Sequence, residues 1–233
     1  MTKHKRRRIA AVVVTTAAIL TAGALSAPFA SASTFFPWHR GGASASAAAG
    51  CADVEVVFAR GTGERPGLGI VGTPLVRAIG AGLAGRTVVS HAVDYAADAS
   101  QAAAGPGATE MSGHVAATAA ACPGTRFVLG GYSQGATVTD IAIGIQVGRT
   151  RGNAIPAALD DRVAAVVVFG NPLGIGRQTI AGRSAVFGPK AKEFCNIGDP
   201  VCGNGNDFAA HLRYVTNGSI QQAADFAVQR LTA

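Results

Sequence analysis

Apolar positions along this chain follow two rhythms. Short, nearly continuous runs rich in valine and phenylalanine, at Asp53–Arg60 (DVEVVFAR), Thr87–Val93 (TVVSHAV), Thr125–Gly130 (TRFVLG), Arg162–Phe169 (RVAAVVVF) and Lys192–Ile197 (KEFCNI), have the length and composition of strands. Longer stretches in which small and apolar residues return on one face, at Val71–Leu83, Ala108–Ala121 and Gln134–Val147, predict helices, and Phe208–Leu212 and Ser219–Leu231 predict two more towards the C-terminus. Strand runs that are apolar almost throughout, instead of alternating, need cover on both faces of their sheet. Alternating with helices, they describe an α/β fold: a three-layer sandwich around a central, mostly parallel sheet.

In such a sheet, sites lie beyond the carboxyl ends of the strands. Those ends are Arg60-Gly61-Thr62, Asp94-Tyr95, Ser133, Gly170-Asn171-Pro172 and Gly198-Asp199, and the five loops are expected to converge. Ser133 is the centre of GYSQG, Gly131 to Gly135, which has the G-x-S-x-G form of a strained strand-to-helix turn that exposes a nucleophilic serine. The motif carries weight here because a predicted strand precedes it and a predicted helix follows; an ordinary serine in a turn is the alternative.

A serine hydroxyl attacks carbonyls only with a histidine base in reach, a carboxylate that orients the histidine, and donors for the oxyanion. In this architecture the chain order is serine, then acid, then histidine. Among the histidines, only His211 follows Ser133; His4, His39, His91 and His114 all precede it. The intervening acids are Asp140, Asp160, Asp161, Glu193, Asp199 and Asp207. Asp140 lies about two turns down the helix after Ser133, and Asp160 and Asp161 precede a strand at the wrong end of the sheet. Asp199 stands at a carboxyl end, inside the segment CNIGDPVC, and is the candidate orienter; a simple Asp-Pro turn is the alternative. The oxyanion donors are expected to be the backbone N–H groups of Gln134 and of Thr62, in the loop after the first strand. That loop, GTGERPGLG (Gly61–Gly69), has Pro66 where a dinucleotide fingerprint needs its third glycine and has no G-K-[ST], so phosphate binding is discounted.

The N-terminus changes how the charge is read. KHKRRR (Lys3–Arg8), the apolar Ile9–Leu25 and the small-x-small site Ala30-Ser31-Ala32 predict a cleaved export signal over residues 1–32, with retention as an anchor the alternative, and hence a secreted or envelope-associated protein. Residues 33–50 form a low-complexity lead-in with Phe35, Phe36 and Trp38, and 51–233 a single domain. The formal net charge of +7 owes five of its twenty Lys and Arg to the signal; fifteen remain against thirteen acids, or +2. No basic stretch with interleaved aromatics supports nucleic-acid binding. Four cysteines in an exported chain suggest two disulfides, with three pairings possible. Cys51–Cys122 with Cys195–Cys202 is the natural set, worth about 4 and about 2–3 kcal/mol in the chain-entropy account. Zinc is the competing use, but no C-x-x-C or H-x-x-x-H spacing supports it.

Taken together, CADVEVVFARGTGE (Cys51–Glu64), GYSQG, VVVFGNP (Val166–Pro172), CNIGDPVC (Cys195–Cys202) and HLRY (His211–Tyr214) resemble the cutinase family, in particular the secreted cutinase-like esterases of actinobacteria. The resemblance covers the chain after about Gly50. It implies a small α/β-hydrolase with a Ser133-Asp199-His211 triad, Thr62 and Gln134 at the oxyanion, and the disulfides as paired above. Fungal members commonly have serine where Thr62 stands. The chemistry implied needs no metal or organic cofactor. Expected partners are an ester or lipid substrate, with transient contact to a lipid or polyester surface, and the chain is expected to be a monomer. Leu173, Ile175 and Phe208 are candidate acyl contacts by position, with plain packing the alternative for each. Without a long insertion to form a lid, short to medium acyl chains are expected. Phospholipase or acetylxylan-type activity on the same site, and a secreted lipid-binding protein without turnover, are the alternatives.

Overall fold

A computed structural model describes residues 50–233; the expected export signal and the lead-in aromatics fall outside the described residues. Five strands, β1 (Val54–Ala59), β2 (Val88–Ala92), β3 (Arg126–Tyr132), β4 (Val163–Phe169) and β5 (Ala191–Phe194), form one sheet in the order β2-β1-β3-β4-β5. Every neighbouring pair is parallel. The inner strands β1 and β4 are buried along their whole length; β4 is apolar throughout, and in β1 the one polar residue, Glu55, is paired with His114 Nε2 at 2.8 Å.

Alternation along each strand assigns residues to two cores. Val57, Ala59, Phe127, Leu129, Val166 and Val168 pack with Met111 and Val115 of α2 (Ala104–Ala121) and Val138 of α3 (Gln134–Ala142). On the opposite face, Val54, Val56, Phe58, Val128, Val167 and Phe169 pack with Leu75 and Ile79 of α1 (Gly69–Gly82) and with Ala223 and Ala227 of α6 (Ser219–Thr232). A fully buried side chain such as Leu75 contributes about 1.5–3 kcal/mol relative to exposure. Two short helices, α4 (Ile180–Arg183) and α5 (Phe208–Leu212), flank β5 in sequence.

Most boundaries lie within two residues of the sequence expectation, and three differ by more. The helix after Ser133 ends at Ala142 instead of Val147, because Gly144 turns left-handed (φ +83°) and the chain leaves the helix axis. The second helix begins at Ala104, four residues early, on small residues that hold little periodic signal. Finally, β5 ends at Phe194, and Cys195 already belongs to the loop closed by its bond to Cys202. The second disulfide, Cys51–Cys122, ties the start of the described domain to the end of α2.

Candidate active site

Tyr132 ends β3 and Gln134 begins α3, so Ser133 alone makes the turn, at φ +57° and ψ −120°. For a residue with a Cβ, this region costs of order 1–3 kcal/mol and persists only where the surroundings impose it. They do so here through two glycines. A Cβ on Gly131 would stand 2.0 Å from the carbonyl oxygen of Gly135, and one on Gly135 would stand 1.9 Å from that of Ala59. The helix therefore approaches β3 and β1 so closely that neither position admits a side chain. The Ser133 N–H donates to Phe169 O at 2.9 Å, pinning the turn to the end of β4.

His211 lies on α5, whose N-terminus is capped by Asp207 accepting from Ala209 N–H. Its Nδ1 is 2.8 Å from Asp199 Oδ2, and the two side chains are 3% and 0% exposed. A buried carboxylate needs donors, and Asp199 has three: His211, Val201 N–H at Oδ1 (2.8 Å) and the Tyr214 hydroxyl at Oδ2 (2.5 Å). Burial, reinforced by the bond to Asp199, pushes the Tyr214 hydroxyl well above the usual phenol range and keeps it a donor. With Nδ1–H directed at the carboxylate, Nε2 is the lone-pair nitrogen, the tautomer a general base needs.

Three further contacts set the imidazole. The Tyr132 ring stacks on it with centroids 4.8 Å apart, and the Tyr132 hydroxyl donates to His211 O at 2.9 Å. Beneath the ring is Gly170 (φ +57°), where a Cβ would lie 2.5 Å from His211 Cε1 and 2.7 Å from Nδ1. Tyr132 precedes Ser133, and Gly170 follows the Phe169 carbonyl that Ser133 N–H reaches, so β3 and β4 bring the serine and histidine backbones to one corner. No hydrogen bond joins Ser133 Oγ to His211 among the described residues. Such bonds are commonly long in unliganded sites and tighten in the reacting complex.

At the other side of Ser133, Thr62 Oγ1 donates to Gln134 Oε1 at 3.2 Å and accepts from Gln101 Nε2 at 3.0 Å. Neither the Thr62 N–H nor the Gln134 N–H has a protein acceptor among the described residues. Gln134 is the first residue of α3, where backbone N–H groups point outward and the helix dipole favours negative charge. The floor of this region is Arg60, 3% exposed, whose guanidinium donates to the carbonyls of Glu64, Val93 and Tyr95 at 2.9, 3.3 and 2.5 Å, while the Tyr95 hydroxyl returns to Arg60 O. These bonds draw the ends of β1 and β2 together.

The weaker sequence candidates separate by exposure. Leu173 is buried in the core beneath α3, whereas Ile175 and Phe208 are 64% and 59% exposed, and Phe208 sits 5.4 Å from the His211 ring. Two of the other intervening acids, Asp140 and Glu193, are joined through one amide: both accept from Asn171 Nδ2 at 3.2 Å, and neither contacts His211. Burial raises both carboxyls, Asp140 well above the usual range. His91 and His114 stack on each other at 3.5 Å, paired with Glu110 and Glu55, through β2, α2 and β1. No group of three His, Cys, Asp or Glu among the described residues is placed to hold a metal ion.

The family model described as Cutinase matches residues 50–231. The chain belongs to the cutinase family. A cutinase of Kineococcus radiotolerans is 63% identical over 182 residues, which cover 77% of this chain and 62% of that protein. This cutinase-family chain thus spans less than two thirds of that relative's length. A Mycobacterium tuberculosis phospholipase, Culp4, is 44% identical over 186 residues, covering 79% of this chain and 81% of its own. Among solved structures, a Trichoderma reesei cutinase in complex with a C11Y4 phosphonate inhibitor matches with a TM-score of 0.62 and 28% identity over 78% of each chain. The cutinase α/β-hydrolase fold accounts for the parallel sheet with helices on both faces.

Proposed function

We propose that this cutinase-family protein is an exported serine esterase that hydrolyses carboxylic esters of short to medium acyl chains through an acyl-enzyme. The observation that carries the reading is the fully buried Asp199–His211 pair, supplied with donors and set against Gly170 at the corner where the strained elbow presents Ser133. In the first step, Ser133 Oγ bonds to the carbonyl carbon while its proton passes to His211 Nε2. The oxyanion is received by the N–H groups of Thr62 and Gln134. The ester C–O bond then breaks, and the alcohol departs with the proton from His211. Water repeats the sequence on the acyl-enzyme: it loses a proton to His211, adds to the carbonyl, and Ser133 leaves with that proton restored. Asp199 stabilises the imidazolium formed in each half.

Ser133 is half-exposed, and Ile175, Phe208 and Leu212 present apolar surface. This supports a substrate with an acyl chain reached from solvent or from a lipid or polyester surface. The second reading, phospholipid hydrolysis at the same site, is favoured by the Culp4 relationship. The two disulfides support an oxidising destination, and with it the proposed division into signal 1–32, lead-in 33–50 and domain 51–233.

The test is fluorophosphonate labelling of the folded protein beside Ser133→Ala, with p-nitrophenyl butyrate hydrolysis by His211→Ala. Labelling confined to Ser133 and a fall in turnover of about 10³-fold or more on losing His211 are expected. Failure of folded wild-type protein to label, the outcome expected of a lipid-binding protein without turnover, refutes the enzyme reading. A panel of acyl lengths with a phospholipid and a polyester film then separates the two substrate readings.

A further inference from the structure

Thr62 is held on one side, by its hydroxyl's bonds with Gln134 and Gln101 and by Gly63 N–H donating to Ala97 O at 2.7 Å, but these contacts leave the Gly61 side and the rest of the loop unfixed. An oxyanion donor must point at one spot before substrate arrives, yet Thr62 is exposed at the tip of a loop that contains Gly61, Gly63, Gly67 and Gly69, with φ of +74°, +129° and +70° at the last three. Glycines in that region leave the loop many accessible conformations. Something must close it.

Glu64 is placed to do so. Its carboxylate reaches both ends of the loop at once: Oε2 accepts the Gly61 N–H at 2.5 Å and Oε1 accepts the Ile70 N–H in the first turn of α1 at 2.7 Å. Its backbone takes part as well. Glu64 N–H donates to Gly61 O at 3.3 Å, and Glu64 O accepts from Arg60 Nε at 2.9 Å. Gly61 directly precedes Thr62, so the peptide whose N–H is offered to the oxyanion is anchored one residue before it and two after it by the same side chain and backbone. Gly69 makes room for this carboxylate, since a Cβ there would stand well inside van der Waals contact with Glu64 Oε2; a Cβ on Gly61 would meet the Tyr132 ring at 2.7 Å and Glu64 Oε2 at 3.3 Å. Charge-assisted bonds from backbone N–H groups to a carboxylate are among the stronger hydrogen bonds a protein makes.

We propose that Glu64 is the positioning residue for the oxyanion hole, acting on the transition state through the Thr62 peptide without touching substrate. This rests on the esterase reading above. Glu64→Gln keeps the shape but puts an amide N–H₂ against one of the two N–H donors, so one bond is replaced by a repulsion and the Thr62 peptide is released. Losing an oxyanion donor outright costs about 10²–10³ in rate; misaiming it is expected to lower kcat by about 10–100-fold.

The experiment measures kcat and KM for p-nitrophenyl butyrate per active site, the sites being counted by exhaustive fluorophosphonate labelling. Affinity for butylboronic acid, which forms a tetrahedral adduct on the serine, is measured alongside affinity for butyrate, which does not. The proposal expects kcat per site to fall 10–100-fold with KM within about threefold, boronate affinity to fall in step, and butyrate affinity to hold. A purely structural role would lower the labelled fraction or the melting temperature and leave kcat per site and boronate affinity within twofold, and that result overturns the proposal. If Glu64→Gln does not fold, Glu64→Asp, which keeps the charge but reaches only one of the two N–H groups, bears the same test with the same two outcomes. Labelled, active wild type with an unaffected Glu64 variant removes the positioning role alone; a wild type that does not label Ser133 removes the esterase reading together with it.

Discussion

Gly170→Ala tests the placement of His211 more directly than removing the histidine does. The added Cβ would lie 2.5 Å from His211 Cε1, 2.7 Å from Nδ1 and 3.2 Å from Asp199 Oδ2. Carbon atoms rest at about 3.5–4.0 Å, so the ring must move by roughly 1 Å. It has little freedom to do so, with Tyr132 stacked on it at 4.8 Å, Tyr214 edge-on at 6.2 Å and Nδ1 bonded to Asp199. Displacement of a catalytic group by about 1 Å costs about 100-fold, which sets the expected loss in kcat. The methyl also brings a conformational penalty, because Gly170 has φ +57°, worth about 1–2 kcal/mol for an L-residue. In a domain of this size that lowers Tm by roughly 2–8 °C. The two effects are separated by Gly144→Ala, which imposes a left-handed φ of +83° on alanine where a Cβ meets nothing within 4 Å. Esterase kinetics per labelled site and thermal melts are measured on both variants. Tm is expected to fall in both, further in Gly170→Ala because of the added contact with His211, with the loss of kcat confined to Gly170→Ala. If Gly170→Ala keeps kcat within threefold of wild type, His211 is not acting as the base from the position described.

Two other outcomes follow from strain and burial. Ser133→Ala keeps a side chain at φ +57° and ψ −120°, whereas Ser133→Gly relaxes it, so the glycine variant is expected to be the more stable by about 1 kcal/mol after its larger unfolded-state entropy; an alanine variant that melts at or above the glycine one contradicts a strained elbow. Asp140 is raised first by burial and further by Glu193, against the bond from Asn171. A carboxyl raised in the folded state is at no disadvantage below its unfolded value and costs stability as pH rises above that value, most steeply until its folded pKa is passed. Wild type should therefore lose Tm relative to Asp140→Asn as pH rises above the ordinary carboxyl value of about 4, and parallel Tm–pH curves for the two would count against a proton held at Asp140.

How much of this could be read from the sequence depends on the range of the interaction involved. The parallel sheet was legible because a strand buried on both faces is apolar at nearly every position, a local property of VAAVVVF and, but for Glu55, of VEVVFA. Candidate chemistry was legible for a different reason: chain order within that topology leaves His211 as the sole histidine after Ser133, so few residues needed to be weighed. Helix ends were less legible. Gly144 stops α3 because of its backbone conformation, and a glycine inside an apolar periodic run carries no mark of that.

The residues that tune the site left no sequence signal because each acts across a long separation and has an ordinary type. Tyr132 reaches the His211 carbonyl across 79 residues, Gln101 reaches Thr62 across 39, and Arg60 binds Val93 and Tyr95, just past the end of the neighbouring strand, across 33 and 35. Gly170 looks like any glycine after a strand until the imidazole is placed over it. Glu64 falls between these cases. Its bonds to Gly61 and Ile70 span only three and six residues, short enough to be local, but they become informative only once Thr62 is known to face the elbow from a glycine-rich loop. A glutamate three residues after Gly61 and six before the first helical turn has the reach to clamp both ends of that loop. The part of the proposed oxyanion arrangement most accessible to sequence reading is therefore the spacing G-T-G-E followed by a glycine at the helix start, with Thr62 the proposed donor and Glu64 the residue proposed to hold it in place.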